Sequence, residues 1–254
     1  MQLSALLSHV GYIRIRGSAR TEVKGIACDS RQVQPGDLFV CIPGRVHDGH
    51  AFAGEAMERG ACGIVAQADS PLSGGLEEGW TKGALVLVSS SRKGLSPMAA
   101  AFYGYPLRSM TSVAVTGTKG KTTTAYMLRQ IFEQAGHRTG LIGTNGAFIG
   151  GKRLELSRTT PEAHELQKIL RQMKDSGCTH VVMEVSSQGI KMERVGGLKF
   201  TCGVFTNISP DHIGPGEHES FEEYLYQKSR LFSSCGLGLA NGDDPFAGQI
   251  AAAA

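Results

Sequence analysis

The stretch TSVAVTGTKGKTTTAYMLRQIFEQAG, Thr111–Gly136, decides the fold. Its apolar, β-branched beginning predicts a buried strand, and the amphipathic run from Lys121 to Gln134 predicts a helix. Between them, Gly117 and Gly120 allow the backbone to curl with its N–H groups facing inward, at the positive end of the helix. This order of strand, glycine-rich loop and helix predicts a nucleotide phosphate site.

Within the loop, Lys121 is placed to reach the β- and γ-phosphates, and the Thr122 hydroxyl is placed to bind Mg²⁺. The template G-x-x-x-x-G-K-[ST] is incomplete, because its first glycine position holds Val115. The alternative is a glycine-rich turn with ordinary surface lysines. The predicted nucleotide-binding residues are Gly117, Thr118, Lys119, Gly120, Lys121, Thr122 and Thr123.

Strands alternate with helices along the rest of the chain, which predicts an α/β fold with a parallel sheet. In the second part, the predicted strands are Ser112–Val115, Thr139–Ile142, His180–Val185 and Cys202–Thr206. The predicted helices there are Lys121–Gln134, Pro161–Ser176 (with Thr160 as N-cap) and Phe221–Ser233. Each of these strands runs into polar or glycine residues, and parallel sheets bind ligands at that edge.

Composition excludes several classes of protein. The net charge of +3 is too small to argue for a nucleic-acid or membrane partner. The six cysteines are scattered without a CxxC pair, which argues against a zinc site and a disulfide scaffold. No apolar run approaches the roughly 18–20 residues of a membrane span, so we expect a cytoplasmic chain. Because the sequence stops within an α/β succession, we expect a fragment of a longer protein.

Three further residues are candidates for metal chemistry. Glu184 lies near the end of a predicted buried strand, where a phosphate-binding ATPase needs a carboxylate for Mg²⁺. His212 follows the last strand, within reach of a second metal, although a lone histidine there is more often structural. Lys228 lies on a helix, and the residues alone suggest only a solvated cation. A role as metal ligand would require its amine to capture CO₂ as a carbamate.

The loop variant G-T-x-G-K-T-T resembles the Mur ligase family, ATP-dependent amide-forming enzymes of peptidoglycan precursor synthesis. The run TNISPDH…YQKSRLF is similar to the family segment in which a histidine and a carbamylated lysine bind a second Mg²⁺. The chain departs from the family at Lys119, often Asn, and in GPGEHESFEE, which replaces a common DYHG run. The resemblance implies catalytic roles for Lys121, Glu184, His212 and Lys228, and metal ligation by Thr122, Glu184, His212 and Lys228, the last as N6-carboxylysine.

The segment CDSRQVQPGDLFVCIPGRVHDGHAF, Cys28–Phe52, is similar to the uridine-nucleotide-binding domain of the MurE type. The alternative is a tight turn with surface charges. SRTTPE and EVSSQGIKMERV also favour this type, in which such positions hold the muramoyl-dipeptide. The implied substrate-binding residues are Cys28 and Ser30 near uracil and ribose, Arg45, Val46 and His47 near the diphosphate, and Thr159, Thr160, Ser186 and Arg194 near the dipeptide.

The resemblance implies a small N-terminal α/β domain for the UDP substrate, residues 1–90. A P-loop-type ATPase domain follows, residues 91–254, truncated before a C-terminal Rossmann-like domain. The implied enzyme uses ATP and Mg²⁺ to add L-lysine or meso-diaminopimelate to UDP-N-acetylmuramoyl-L-alanyl-D-glutamate through an acyl phosphate. We expect a monomer that binds the UDP substrate but does not complete ligation alone.

Two alternative functions remain at this point. A P-loop switch would carry a guanine-reading motif such as N-K-x-D, and the sequence has none. A folylpolyglutamate synthetase has a similar loop and also builds γ-glutamyl amides, but it would lack the DSR…GDLFV segment.

Overall fold

A computed structural model describes residues 1–44 and 47–253 of the chain. The chain divides into two compact units, Met1–Gly104 and Tyr105–Ala254. Both units contain a largely parallel sheet with helices, which confirms the predicted α/β class. Within the described ranges, the structure holds no helix with the length and apolar character that crossing a bilayer requires.

The first unit is built on a five-stranded sheet. Its strands, in chain order, are β1 Tyr12–Arg16, β2 Gly25–Ala27, β3 Asp37–Val40, β4 Gly63–Gln67 and β5 Ala84–Val88. They lie in the order β1-β5-β4-β3-β2, with β1 antiparallel to β5 and the other four parallel. The helices are α1 Leu3–Leu7, α2 Ala53–Glu58, α3 Ser73–Gly79 and α4 Ser91–Phe102, with 3-10 turns at Ser30–Gln32 and Gly49–Phe52. The apolar runs of β4 and β5 are buried almost throughout, as expected for strands covered on both faces.

Two features of this unit differ from the sequence predictions. The predicted domain boundary followed residue 90, whereas the first unit extends to Gly104. The reason is that α4 packs against α1 and β4 of the first unit. Residues 69–83 have the glycine-rich, polar composition that predicts a surface loop, but they contain α3, because Leu76 and Trp80 pack against the core of this unit.

The second unit contains a seven-stranded sheet. Its strands are β6 Thr111–Thr116, β7 Thr139–Gly143, β8 Gly146–Ile149, β9 Lys152–Leu154, β10 His180–Glu184, β11 Phe200–Phe205 and β12 Cys235–Ala240. The order is β12-β11-β6-β10-β7-β8-β9, parallel from β12 to β7 and antiparallel through β8 and β9. The helices are α5 Lys121–Gln134, α6 Ala163–Asp175, α7 Ser187–Lys191, α8 Phe221–Ser229 and α9 Ala247–Ala251, with 3-10 turns at Pro106–Ser109 and Phe232–Ser234.

The central strand β6 divides the core of this unit between two faces of the sheet. Val113 and Val115 lie in a cluster with Ala125 of α5, whereas Ala114 lies in the cluster that includes α6 and α8 residues. This alternation follows from the two-residue period of a strand.

Two predicted helices differ at their ends. α6 begins at Ala163, and Glu162 rather than Thr160 is the N-cap. The Glu162 N–H donates to the carboxylate of Glu165 at 3.2 Å, as part of a capping box at the start of α6. α8 ends at Ser229, and a separate 3-10 turn, Phe232–Ser234, lies at the end of the predicted helix.

The strand register brings the polar strand ends to one edge. β6 and β10 pair Val115 with Glu184, and β6 and β11 pair Thr116 with Phe205. The carboxyl ends of β6, β7, β10 and β11 therefore meet, as predicted from the polar residues that follow these strands.

Candidate active site

The phosphate loop, Gly117–Gly120, joins β6 to α5. Gly117 has φ of 151°, and a Cβ there would clash with the Thr206 hydroxyl and approach the Asn207 carbonyl oxygen to 3.1 Å. Gly120 has φ of 83° and is the N-cap of α5. These two positions require glycine for different reasons: close approach of Thr206 and Asn207 at Gly117, and left-handed geometry at Gly120.

The segment after β11 fixes the loop by hydrogen bonds. The N–H groups of Thr118 and Lys119 donate to the Asn207 backbone and side-chain oxygens at 2.8 and 2.9 Å. The Thr206 hydroxyl donates to the Lys119 carbonyl oxygen at 2.7 Å. The Lys119 ammonium is exposed and lies 3.1 Å from Asp211. The loop is therefore held in one shape by its neighbours.

Lys121 folds back on the loop. Its ammonium donates to the carbonyl oxygens of Gly117 and Thr118 at 2.8 and 3.0 Å. Burial lowers the pKa of Lys121 against the opposing charge of Glu184, with a further lowering by Lys119. A partly desolvated ammonium with only carbonyl partners gains from an anionic ligand, and phosphate oxygens supply that charge.

Glu184 is fully buried at the end of β10. Its carboxylate accepts from the Thr122 hydroxyl at 2.8 Å and from the Thr144 N–H and hydroxyl at 3.0 and 3.2 Å. A Cβ on Gly143 would clash with this carboxylate, so glycine is needed beside it. The predicted pair of Thr122 and Glu184 is thus in direct contact, and its hard oxygens suit Mg²⁺.

Lys228 of α8 is buried, with 1% of its surface exposed, contrary to the solvated cation that the helix alone suggested. Its ammonium donates to the Gly117 carbonyl oxygen at 2.9 Å, the same atom that binds Lys121. Burial lowers the pKa of Lys228 to about 7, helped by the Lys121 charge and opposed by Asp211. A large share of this amine is neutral near neutral pH, the form in which an amine is a nucleophile.

The lowered pKa predicts how stability depends on pH. Between about pH 7 and the pKa of an unfolded lysine, the unfolded state binds more protons, so the free energy of unfolding rises with pH. In buffer freed of CO₂, the wild type should gain about 2 kcal/mol between pH 7 and 9 relative to Lys228→Met. Urea unfolding at both pH values measures this difference. Equal pH dependence in the two proteins would contradict it.

His212, the other residue predicted for the second metal, is exposed and has φ of 54°. Its Nδ1 lies 3.1 Å from the Glu217 carboxylate. Among the described residues, no three His, Cys, Asp or Glu side chains are placed to hold a metal ion together. An unmodified Lys228 ammonium has no lone pair and cannot ligate a metal ion.

The predicted dipeptide-binding residues lie together near Glu184. The Thr160 hydroxyl is buried; it donates to the Glu184 carbonyl oxygen and accepts from the Ser186 N–H at 3.0 Å. Thr159 contacts Thr144 through their hydroxyls at 3.0 Å. The Ser186 hydroxyl oxygen caps α7. Arg194 pairs with Glu162 at 2.9 Å, so its guanidinium already has a carboxylate partner within the chain.

The first unit contains the residues predicted for the uridine nucleotide. The buried Ser30 hydroxyl donates to Glu55 at 2.8 Å, and Cys28 is half-buried at the end of β2. His47 is exposed, and its ring lies edge-on to Phe52. The predicted contacts Arg45 and Val46 lie outside the described residues.

Sequence reasoning missed residues that fix both regions. In the first unit, the buried His50 ring forms a hydrogen bond with the Asp48 carboxylate through Nδ1 and accepts the Gln67 N–H at 2.8 Å through Nε2. Arg92 donates to the Pro43 carbonyl oxygen at 3.0 Å. The sequence DGH, Asp48–His50, could have indicated the contacts of His50, because it is a short polar run that follows a strand. In the second unit, the missed residues are Thr144, His218 and Tyr224. Their roles depend on contacts between distant segments, which spacing along the chain does not reveal.

Family models match residues in both units of the chain. The model described as "Mur ligase middle domain" matches residues 115–254, and the model described as "Mur ligase family, catalytic domain" matches residues 22–103. The first match includes the phosphate loop, Glu184, His212 and Lys228. The second includes Cys28, Ser30 and His47.

Two curated relatives carry the same name, UDP-N-acetylmuramoyl-L-alanyl-D-glutamate–2,6-diaminopimelate ligase. The protein of this name from Clostridium perfringens is 38% identical over 98% of this chain and 50% of its own length. That from Chlorobaculum tepidum is 40% identical over 99% of this chain and 49% of its own length. The chain thus spans about half the length of the curated relatives it matches.

Solved structures show the same fold. A structure of a UDP-N-acetylmuramoyl-L-alanyl-D-glutamate–2,6-diaminopimelate ligase superposes with a TM-score of 0.80 at 24% identity, over 100% of this chain and 49% of the other. MurF ligase from Thermotoga maritima in complex with ADP gives 0.59 at 21% identity, over 91% and 49%. Because the middle-domain model matches more than half of the sequence, the chain belongs to the Mur ligase family.

Proposed function

We propose that this chain supplies the ATP site and the UDP-substrate site of an amide ligase. In the proposed reaction, a carboxylate of UDP-N-acetylmuramoyl-L-alanyl-D-glutamate is phosphorylated by ATP, and an amine of a diamino acid displaces phosphate from the acyl phosphate. The names of the relatives favour 2,6-diaminopimelate over L-lysine as the source of that amine. We also propose that the protein is a cytoplasmic monomer and that it has no nucleic-acid or membrane partner.

One observation carries the proposal: the contact of Glu184 with Thr122, directly after a preformed phosphate loop. A hydroxyl and a buried carboxylate at the carboxyl edge of a parallel sheet are the oxygen ligands that ATP-bound Mg²⁺ requires. When bound there, Mg²⁺ would neutralise charge that develops on the transferred phosphoryl group. Lys121 would exchange its loop carbonyls for phosphate oxygens, and Gly117–Gly120 would orient the triphosphate.

A second Mg²⁺ fits only after a change at Lys228. The neutral amine can attack CO₂, which forms a carbamate and releases one proton. The ammonium is thereby replaced by an anionic oxygen ligand in a buried place. His212 would have to leave Glu217 to join it. Support for this part of the proposal comes from the burial of Lys228 and its lowered pKa.

The remaining site residues keep the proposed roles given by family resemblance. Thr159, Thr160, Ser186 and Arg194 would contact the dipeptide portion, and Cys28, Ser30, Arg45, Val46 and His47 would contact the uridine diphosphate. The position of Arg194 beside Glu162 means that a substrate carboxylate would compete with an internal partner. For Arg194 to contact the substrate, the substrate carboxylate must either displace Glu162 or bind the guanidinium together with it.

Calorimetric titration of the 254-residue chain tests the proposal. We expect saturable binding of Mg-ADP and, separately, of UDP-N-acetylmuramoyl-L-alanyl-D-glutamate. Mg-GDP and a folate serve as controls for a switch protein and for a folylpolyglutamate synthetase. Tight folate binding without binding of the muramoyl nucleotide would refute the proposed substrate, and preference for GDP would refute the ATP site.

A further inference from the structure

Tyr224 is a buried side chain of α8, with 1% of its surface exposed. The proposed function gives it no role, because it is neither part of the phosphate loop nor a proposed metal ligand. It lies one helical turn before Lys228, so the two side chains share a face of α8. Its ring and its hydroxyl contact different parts of the candidate active site.

The hydroxyl of Tyr224 reaches the phosphate loop. It forms a hydrogen bond with the Thr118 hydroxyl at 3.1 Å. Thr118 also accepts the Ser209 N–H at 3.0 Å and donates its own N–H to Asn207. Burial raises the pKa of Tyr224, so its hydroxyl keeps its proton and remains available for this bond. Thr118 is thereby held from two sides.

The ring of Tyr224 packs against the Lys228 amine. The Lys228 nitrogen lies 4.5 Å from the ring centroid, within the range of a cation–π contact. The ring of buried His218 lies 5.1 Å away, and its Nε2 is 2.9 Å from the Ser187 hydroxyl. The Tyr224 ring therefore contacts both the Lys228 amine and the His218 ring.

Two links connect α8 to adjacent residues of the phosphate loop. Lys228 binds the Gly117 carbonyl, and Tyr224 binds Thr118. Lys121 binds carbonyls of the same two residues. In the proposed nucleotide complex its ammonium would leave these carbonyls for a phosphate. The link from Tyr224 to Thr118 requires neither lysine ammonium, so it can hold the loop in shape when Lys121 turns away and when Lys228 is carbamylated.

We propose that Tyr224 is a positioning residue that holds the phosphate loop through Thr118 and the Lys228 amine through its ring. The inference rests on the proposed nucleotide site. A purely structural role in the core would give a different result, because it predicts loss of stability without a specific loss of nucleotide affinity.

Tyr224→Phe removes the hydroxyl and keeps the ring. We expect this variant to bind Mg-ADP about fivefold more weakly, the usual effect of one lost hydrogen bond. Tyr226→Phe is the matched control, because Tyr226 is on the same helix and 61% exposed. Its affinity should equal that of the wild type. Thermal unfolding of both variants confirms that they are folded.

A double-mutant cycle tests whether the hydroxyl acts through Thr118. In a Thr118→Val background, Tyr224→Phe should change Mg-ADP affinity by less than about twofold, because the shared bond is already gone. An undiminished fivefold effect in that background would overturn the proposed route. Equal Mg-ADP affinity of wild type and Tyr224→Phe would overturn the inference, whereas absence of Mg-ADP binding in the wild type would refute the proposed function.

The role of the ring is tested by acetic anhydride labelling of Lys228, followed by peptide mass spectrometry. Tyr224→Leu should raise the labelling rate about threefold, because the amine loses its aromatic wall. Tyr224→Phe should leave the rate unchanged. If the Leu variant does not fold, Tyr224→Met replaces the ring with a flexible chain of similar reach. An unchanged rate in the folded variant without the ring would overturn this part.

Discussion

Replacing Lys121 with methionine should weaken binding of Mg-ADP about 100-fold while leaving the chain at least as stable as the wild type. The loss follows from removal of a charged donor to phosphate, and charged hydrogen bonds are the strong ones. Stability is retained because burial lowers the pKa of Lys121 in the folded state. The ammonium therefore costs folding free energy at neutral pH, and its removal relieves that cost.

Titration calorimetry and urea unfolding measure the two parts of this prediction. Lys119→Met is the control, since Lys119 is an exposed lysine of the same loop that is paired with Asp211. Its effect on affinity should stay within about fivefold, the range of a surface ion pair. Equal losses in the two variants would show that the loop binds nucleotide through general positive charge rather than through the position of Lys121.

Replacing Gly143 with alanine should lower the free energy of unfolding by about 3 kcal/mol and reduce the Mg²⁺ dependence of nucleotide binding about tenfold. The added Cβ would clash with the fully buried carboxylate of Glu184. The carboxylate can avoid this clash only by leaving Thr122 and the Thr144 N–H, and both hydrogen bonds are then lost.

Gly140→Ala, on the same strand, separates site effects from loss of stability. Its Cβ would meet the Met173 sulfur at 2.5 Å, in the core below α6. Methionine is flexible, so we expect a cost of about 1 kcal/mol and an unchanged response to Mg²⁺. ADP affinity measured with and without Mg²⁺ distinguishes the two variants. A Gly143→Ala protein with normal Mg²⁺ dependence would contradict the assignment of Glu184.

Much of the second unit could be predicted from the sequence because its signals are local. The bounds of α5 were predicted to the residue, since the phosphate loop ends in Gly120 and the helix follows directly. The central strands were found because their apolar runs are continuous. The start of α6 was wrong by two residues: Thr160, predicted as its cap, instead uses its hydroxyl to bind the end of β10.

The first unit was predicted less well. Helix α3 has four weakly helix-forming residues among its seven, SGGLEEG, and local propensity favours a loop there. Packing of Leu76 on the core outweighs that propensity. The boundary after residue 90 was placed from the sequence, whereas the contacts of α4 decide which unit this helix joins.

The sequence by itself determined the class of fold, the phosphate loop and the family resemblance, because each depends on residues close together in the chain. Only the tertiary structure decided the burial and the lowered pKa of Lys228, and the hydrogen-bond partners of Glu184 and Tyr224. Burial and charge at these residues come from distant segments: Gly117 lies 111 residues from Lys228 along the chain, and Thr122 lies 62 residues from Glu184. A lysine on a helix and a carboxylate at a strand end carry no local sign of the surroundings that change their chemistry.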